Sequence, residues 1–370
     1  MKILFCSPYK QSREYVQGGV GIWGANILYY YNSIKKTDVE LVPISFDRKT
    51  YSENHSTRIG AFANGVKELW HPVIKVIRMI QKKDFDAVHI CTNTGRSLIK
   101  DLVILYFAHK YGVRGYVHFH CGTIPIVLKQ GGFYRKLLLK VFSNATKGIT
   151  IDRSSYESLI EYGINNVVNL PNPLSFSIME QVTAKKNKIC KVPGRIAFVG
   201  HVLRNKGIFE LIESCSRLGK PDLHIIGKVM PKDKVYINDL LSKYGTDDSW
   251  ITWVGEIPHE QVIDELLATE IFALPTYFEG FPNVILEAMA SRCAIISTTV
   301  GAIPEMLDID GNPCGICVEP RNANAFYESL SRVYSDKKLL NCLAEKAEKR
   351  VFEKYCIDKV WKQMVDIWRG

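Results

Sequence analysis

Long apolar runs are missing from this chain of 370 residues. The longest, within 101–109 (DLVILYFAH), falls well short of the roughly twenty apolar residues that a membrane-spanning helix needs. The amino terminus, MKILFCSPY, has a strand-like run but no signal-peptide cleavage pattern, so a cytoplasmic, non-spanning protein is expected. Cysteine is present without a framework. Ten cysteines are scattered from Cys6 to Cys356, and the one close pair, Cys314-Gly-Ile-Cys317, lies in a loop-to-strand stretch with neither a second ligand pair nor a helix start beside it. Free thiols are expected rather than disulfides, a zinc site or a redox pair.

Other absences narrow the function. No zinc-finger spacing, aromatic RNA-binding signature or long basic helix is present, which argues against a nucleic-acid reader. The glycine-rich stretch Gly18-Gly-Val-Gly21 is not the dinucleotide fingerprint, and Glu40 begins a strand of its own instead of closing a ribose site, so a dehydrogenase is not expected. Internal repeats and low-complexity tracts are absent. Carboxylates are scarce in the first half: residues 1–170 hold 23 Lys and Arg against 12 Asp and Glu, while 171–370 hold 25 against 26. The whole net charge of +10 therefore sits in the first half, which suits an anionic membrane surface or a phosphorylated acceptor.

Composition is otherwise that of a globular protein, 46% hydrophobic and 23% charged, at a length that divides into two domains. Short β-branched runs alternate with helical segments in two series. The first is Ile3–Cys6, Glu40–Ser45, Ala87–Ile90, Gly115–His120 and Gly148–Ile151. The second is Arg195–Val199, Asp222–Ile226, Ile251–Val254, Ile271–Leu274 and Ala294–Ser297, with helices over Gly207–Leu218, Glu260–Leu267 and Val284–Ala290. This rhythm predicts an α/β protein with two doubly wound parallel sheets rather than one closed barrel. Leu170-Pro-Asn-Pro-Leu174 and the Lys-rich stretch Gln181–Lys191 read as the connection between them. Val360, Met364, Ile367 and Trp368 give the last segment, Val351–Trp368, one apolar helical face.

Ligands of open parallel sheets bind outside the carboxyl ends of the strands, so the loops there carry the chemistry. In Pro275-Thr-Tyr-Phe-Glu279-Gly-Phe281-Pro282-Asn283-Val284-Ile285-Leu-Glu287 a strand ends, a Gly/Pro loop turns and a helix begins near Asn283. Backbone N–H groups at the positive end of that helix suit a diphosphate. Glu287 can accept both hydroxyls of a ribose, and Glu279 can hold sugar hydroxyls or balance developing positive charge. Capping of the helix by either acid is the plainer alternative. Val199-Gly-His-Val-Leu-Arg204-Asn-Lys206-Gly207 places two cations where a helix opens and phosphates would arrive. In Val117-His118-Phe-His120 both histidines fall on one side of a strand. They lack a third metal ligand at convincing spacing, and a core or capping histidine is the alternative for either. Gly19, in the first glycine-rich loop, lets a phosphate or sugar approach the backbone. The turn Trp253-Val-Gly255-Glu-Ile257 and the loop Ile226-Gly227-Lys228 are candidates for base recognition. Lys129–Lys140 reads as one amphipathic helix, able to rest on a membrane or to pack in the ordinary way.

The stretch EGFPNVILEAMA, followed by Gly301-Ala-Ile-Pro-Glu305, resembles the donor-site signature of glycosyltransferase family 4. The resemblance implies a retaining enzyme of the GT-B fold, two Rossmann-like domains facing across a cleft. It implies an acceptor-binding domain over 1–172, joined by the C-terminal helix 352–370, and a nucleotide-sugar-binding domain over 173–351. Glu287 would bind the nucleotide ribose, Glu279 the sugar, the Phe281–Ile285 amides the diphosphate, and Arg204 and Lys206 its charge. His120, with His118 second, matches a histidine near the anomeric carbon. The family has Gly-Arg at the start of the cationic loop, and His201 departs from it. The implied donor is a UDP-hexose or UDP-N-acetylhexosamine, with GDP-mannose next, and the acceptor a glycan or lipid-linked chain in surface polysaccharide assembly at the inner membrane face. No cofactor or metal is implied. The competing readings are a nucleotide-sugar epimerase of the same architecture and a non-catalytic sugar- or headgroup-binding subunit.

Overall fold

The computed structural model describes residues 1–9, 19–34, 37–47, 58–309 and 311–370, with the backbone alone for 58–69. The chain divides into two compact units, Met1–Asn172 with Val360–Gly370 and Pro173–Lys359. Each is built on its own six-stranded sheet, parallel throughout. The expected α/β class with two doubly wound sheets is what forms, and the closed barrel is excluded.

Unit 1 runs β1 (Lys2–Ser7), α1 (Gly19–Ser33), β2 (Glu40–Ser45), α2 (Arg58–Gln81), β3 (Ala87–Thr92), α3 (Ser97–Lys110) and β4 (Arg114–Phe119). It continues through α4 (Ile124–Gln130), α5 (Gly132–Asn144), β5 (Lys147–Thr150), α6 (Arg153–Glu161) and β6 (Val167–Asn169). The sheet order is β2-β1-β3-β4-β5-β6. All six residues of β3 are buried, as a strand covered by helices on both faces requires.

Unit 2 runs α7 (Phe176–Lys185), β7 (Val192–Val199), α8 (Ile208–Arg217), β8 (Leu223–Ile226), α9 (Pro231–Lys243), β9 (Ile251–Gly255), α10 (His259–Ala268) and β10 (Thr269–Leu274). There follow α11 (Asn283–Ala290), β11 (Ala294–Thr298), α12 (Ile303–Leu307), the short hairpin β12 (Asp308–Ile309) and β13 (Asn312–Pro313), and β14 (Gly315–Val318). Last come α13 (Ala323–Ser335), α14 (Lys337–Arg350), a π-helical turn (Val351–Tyr355) and α15 (Ile357–Arg369). The order β14-β11-β10-β7-β8-β9 reverses direction between β7 and β10. That reversal is the topological switch point, where loops from neighbouring strands part and leave room for a ligand.

Three expectations change. Lys129–Lys140 is two helices, because Gly131 and Gly132 take φ of +76° and +73° and turn the chain between α4 and α5. Within the Lys-rich connection, Gln181–Lys185 is the end of α7, and Lys185 Nζ pairs with Asp264 Oδ1 at 2.7 Å on α10. The C-terminal helix expected over 352–370 begins only at Ile357, after the π-helical turn Val351–Tyr355, and its apolar face is buried at Val360, Met364 and Trp368 with Ile367 half-buried. Trp368 Nε1 donates to His89 Nδ1 at 3.1 Å, and Tyr116 donates to the Trp368 carbonyl at 3.1 Å, which pins α15 to β3 and β4.

Candidate functional site

At the switch point of unit 2 two loops lie backbone against backbone. Gly207 has φ +72°, and a Cβ there would stand 1.8 Å from the Pro275 carbonyl oxygen. Gly301 has φ +55°, and its Cβ would stand 2.3 Å from the Glu279 carbonyl oxygen. Both demand glycine on two counts, conformation and space. The Tyr277 N–H donates to the Asn205 carbonyl at 2.8 Å and the Ala302 N–H to the Gly280 carbonyl at 2.8 Å, so the loops after β7, β10 and β11 hold one another.

This framework brings Lys206 and Glu279 together across 73 positions of sequence, Nζ to Oε1 at 2.5 Å, both side chains largely shielded from water. Arg204 is exposed and stacks on the Phe209 ring at 5.3 Å, and His201 is exposed as well. An arginine that sequence reasoning passed over stands close to the same loop: Arg321 lies over the Tyr277 ring at 5.0 Å, on a backbone with φ +64°. The Tyr277 hydroxyl donates to Glu210, and burial followed by that carboxylate pushes its pKa up to about 12.

Glu287 sits one turn into α11 and is buried. His259 Nε2 lies 3.0 Å from its Oε1. The bond to Glu287 raises the histidine pKa, against the opposing effect of burial. Sequence reasoning did not reach His259. The first turn of α11 holds no acid, which keeps its positive end open to an anion. Of the amides read for the diphosphate, Pro282 brings no N–H and the Ile285 N–H is bonded to the Pro282 carbonyl at 3.0 Å. The two loops read for base contact follow β8 and β9. The Gly227 N–H donates to the Gly255 carbonyl at 2.7 Å, while the Trp253 indole donates to Asp248 at 3.0 Å beneath Lys234.

In unit 1, His118 and His120 do share one side of β4, with ring centroids 4.0 Å apart. Trp23 of α1 covers both, at 4.8 and 4.4 Å, and His89 joins them at 5.4 Å from His118. Burial lowers the pKa of His89 and of His120 to about 3, with His89 adding to the effect on His120 and Asn172 opposing it. His118 is driven well below its usual value by burial and then by its two imidazole neighbours. Among the described residues neither ring nitrogen of His118 has a hydrogen-bond partner. Gly19 opens α1 and is exposed, with nothing within 4 Å of an added Cβ. Gly18 lies outside the described residues.

All ten cysteines are free thiols. Burial pushes Cys314 up to about 11 and Cys317 up to about 12, so neither is a ready thiolate. Among the described residues no group of three or more His, Cys, Asp or Glu is arranged to hold a metal ion.

The segment that carries these loops is similar in sequence to known proteins. Residues 180–350 match the family model described as glycosyl transferases group 1. That group 1 segment lies within unit 2 and holds Arg204, Lys206, His259, Glu279 and Glu287. TuaC of Bacillus subtilis, a glycosyltransferase named for teichuronic acid biosynthesis, is 30% identical over 255 residues, 64% of this chain and 62% of that protein. The capsular polysaccharide biosynthesis glycosyltransferase CapM of Staphylococcus aureus is 26% identical over 181 residues, 47% of this chain and 45% of CapM. The chain thus spans less than two thirds of either relative's length. HepE of Anabaena, solved in complex with UDP, superposes with a TM-score of 0.70 at 14% identity over 99% of each chain. The lipopolysaccharide outer core galactosyltransferase WaaB superposes with a TM-score of 0.68 at 17% identity, again over 99% of each chain. At such identities the likeness is one of fold.

Proposed function

We propose that this protein is a retaining glycosyltransferase of family 4 that moves a hexose or N-acetylhexosamine from its UDP conjugate to a glycan or lipid-linked acceptor in surface polysaccharide assembly. The observation that carries the reading is the grouping at one switch point, inside the group 1 segment, of the Lys206–Glu279 pair with the Glu287-bearing α11. The complex of HepE with UDP supports UDP as the base and diphosphate, and the names of TuaC and CapM support a polysaccharide product.

In this reading unit 2 holds the donor and unit 1 the acceptor. Glu287 takes the ribose hydroxyls. The amides of Phe281, Asn283 and Val284 hold diphosphate oxygens. Lys206, with Arg204 beside it, neutralises the charge that develops as the sugar–phosphate bond breaks, a task that falls to side chains and not to a metal. Lys206 already rests on Glu279, so an arriving diphosphate competes for a cation that is in place, and the released Glu279 is free to take sugar hydroxyls. The leaving phosphate itself accepts the acceptor proton, with attack on the same face it departs from, so no side chain need be a covalent nucleophile. His120, held neutral by burial, is the candidate of unit 1 for a hydrogen bond that adds no charge.

Membrane residence belongs to the same proposal. From Leu102 to Ile151 the chain has no Asp or Glu and seven Lys or Arg. At the α4–α5 corner of that stretch Phe133 is 65% exposed and Ile126 42%, flanked by the exposed Lys129, Lys136 and Lys140. Apolar tips ringed by cations fit an anionic lipid surface. Among the described residues no helix is long and apolar enough to cross a membrane.

The test is a thermal-shift panel of UDP, GDP, ADP and their common sugar conjugates on the wild type and on Glu287→Ala, since a ligand that binds the folded state raises its melting temperature. A shift selective for uridine nucleotides and lost in the variant is the expected result. Folded protein that responds to no nucleotide would sink the transferase reading.

A further inference from the structure

Glu287 has an unusual companion. Its carboxylate is buried in the middle of α11, and the imidazole of His259, the first residue of α10, covers one of its two oxygens. The carboxylate is 10% exposed and the imidazole 58%, so the histidine stands between the buried acid and solvent. A carboxylate oxygen accepts, and the imidazole can donate from Nε2–H. Its place is also electrostatically adverse, because a cationic side chain at a helix N-terminus opposes the helix dipole. The histidine nevertheless has a raised pKa, and the bond to Glu287 is the leading cause.

The connection that delivers this histidine is short. Three residues, Glu256 to Pro258, separate it from Gly255, whose carbonyl takes the Gly227 N–H at 2.7 Å. The β9 loop and the β8 loop are thereby tied together, and the chain passes from them straight to His259. One side chain therefore links the loops read for base contact to the carboxylate read for the ribose.

We propose that His259 is a positioning residue for nucleotide binding: it fixes the rotamer of Glu287 by holding Oε1, and so presents Oε2 to a ribose hydroxyl. The inference rests on the donor-site reading of Glu287. It assigns to a histidine, which no spacing rule in the sequence marks, the task of making the site prefer ribonucleotides over their deoxy forms. A free carboxylate would sample several rotamers, and the ribose would have to select one at an entropic cost; the histidine removes that selection.

The measurement is calorimetric titration of UDP, GDP and ADP and of their 2′-deoxy counterparts into wild type, His259→Ala and His259→Gln, with melting temperatures of the unliganded proteins as a check on folding. For the nucleotide that binds, wild type is expected to favour the ribose form. His259→Ala should weaken the ribose form about tenfold, as loss of a hydrogen bond to a charged group implies, and leave the deoxy form nearly unchanged, so that the preference collapses. His259→Gln carries an N–H that can still reach Oε1 and should restore most of the preference. Equal weakening of both forms would overturn the proposal, since it would mean a direct base contact or a general role in holding α10. An unchanged preference in His259→Ala would overturn it too. If wild type binds none of the six nucleotides, the donor-site reading itself fails and takes this one with it, an outcome distinct from binding with an unaltered preference.

Discussion

In unit 2 the candidate side chains come as pairs of a base with an acid, Lys206 with Glu279 and His259 with Glu287, whereas in unit 1 His120 lies against the His118 imidazole and the Trp23 indole, with His89 behind His118, and no carboxylate acts on its proton. The two units share one architecture, so the contrast is made by the side chains at the strand ends. In unit 2 each of the two carboxylates stands within hydrogen-bond reach of a basic side chain. An aromatic nest keeps imidazoles neutral because the charged form would lose its hydration with nothing in return.

The hardest test of the contrast is removal of the cation. Lys206→Ala should lower kcat of donor turnover by roughly a hundredfold to a thousandfold, the range seen when one group that stabilises a developing charge is lost. A change of only a few-fold, measured with the preferred nucleotide sugar, would mean that unit 2 does not use Lys206 on the leaving group.

Acid separates the two halves by sign. His89, His118 and His120 have lowered pKa values in the folded state, so the unfolded chain binds more protons between about pH 3 and the ordinary histidine value. Stability should therefore fall as pH drops below about 6.5, with a slope of about 1.4 kcal/mol per pH unit for each histidine that must be kept neutral. His259, with a raised pKa, contributes in the opposite sense: its share is present below about pH 6.5 and is lost as pH rises through its folded value. Denaturant melts across this range should show a shallower acid limb in His118→Leu and a shallower alkaline limb in His259→Gln. Identical acid limbs in wild type and His118→Leu would show that the nest takes up protons without cost.

The smallest effect concerns the basic face of unit 1. Lys136→Ala should weaken binding to vesicles containing about one-third phosphatidylglycerol by about fivefold, the worth of one lysine near an anionic surface. Binding to pure phosphatidylcholine should be weak for both proteins. Equal binding of wild type and variant to the anionic vesicles would remove the α4–α5 corner from the membrane proposal.

How far the sequence reaches depends on the kind of feature. The central strands are legible because β-branched, continuously apolar runs such as Ala87–Ile90 and Ile271–Leu274 leave a helix no polar face. The edge strand β6 is missed because Val167–Asn169 is only three residues long, while β14 shows only as the loop-to-strand stretch around Cys314 and Cys317. The break at Gly131–Gly132 is written in the letters, yet the flanking amphipathic pattern outweighs it until the positive φ values are seen. For the candidate site, the loops that bear Lys206 and Glu279 can be located from strand ends and turn residues. The 2.5 Å contact between them cannot, since it depends on two strands that are distant in sequence being neighbours in the sheet. His259 escapes for the same reason. It and Glu287 are 28 positions apart on different helices, and nothing local ties one to the other.

The two glycines at the switch point have a practical consequence for redesign. Because Gly207 and Gly301 bring peptide groups into van der Waals contact with the carbonyls of Pro275 and Glu279, neither loop can gain or lose a residue without lifting off its neighbour. Attempts to retune what unit 2 accepts by grafting loops of other lengths should fail at expression. Substitutions at Phe278, whose side chain is exposed, are the permissive route.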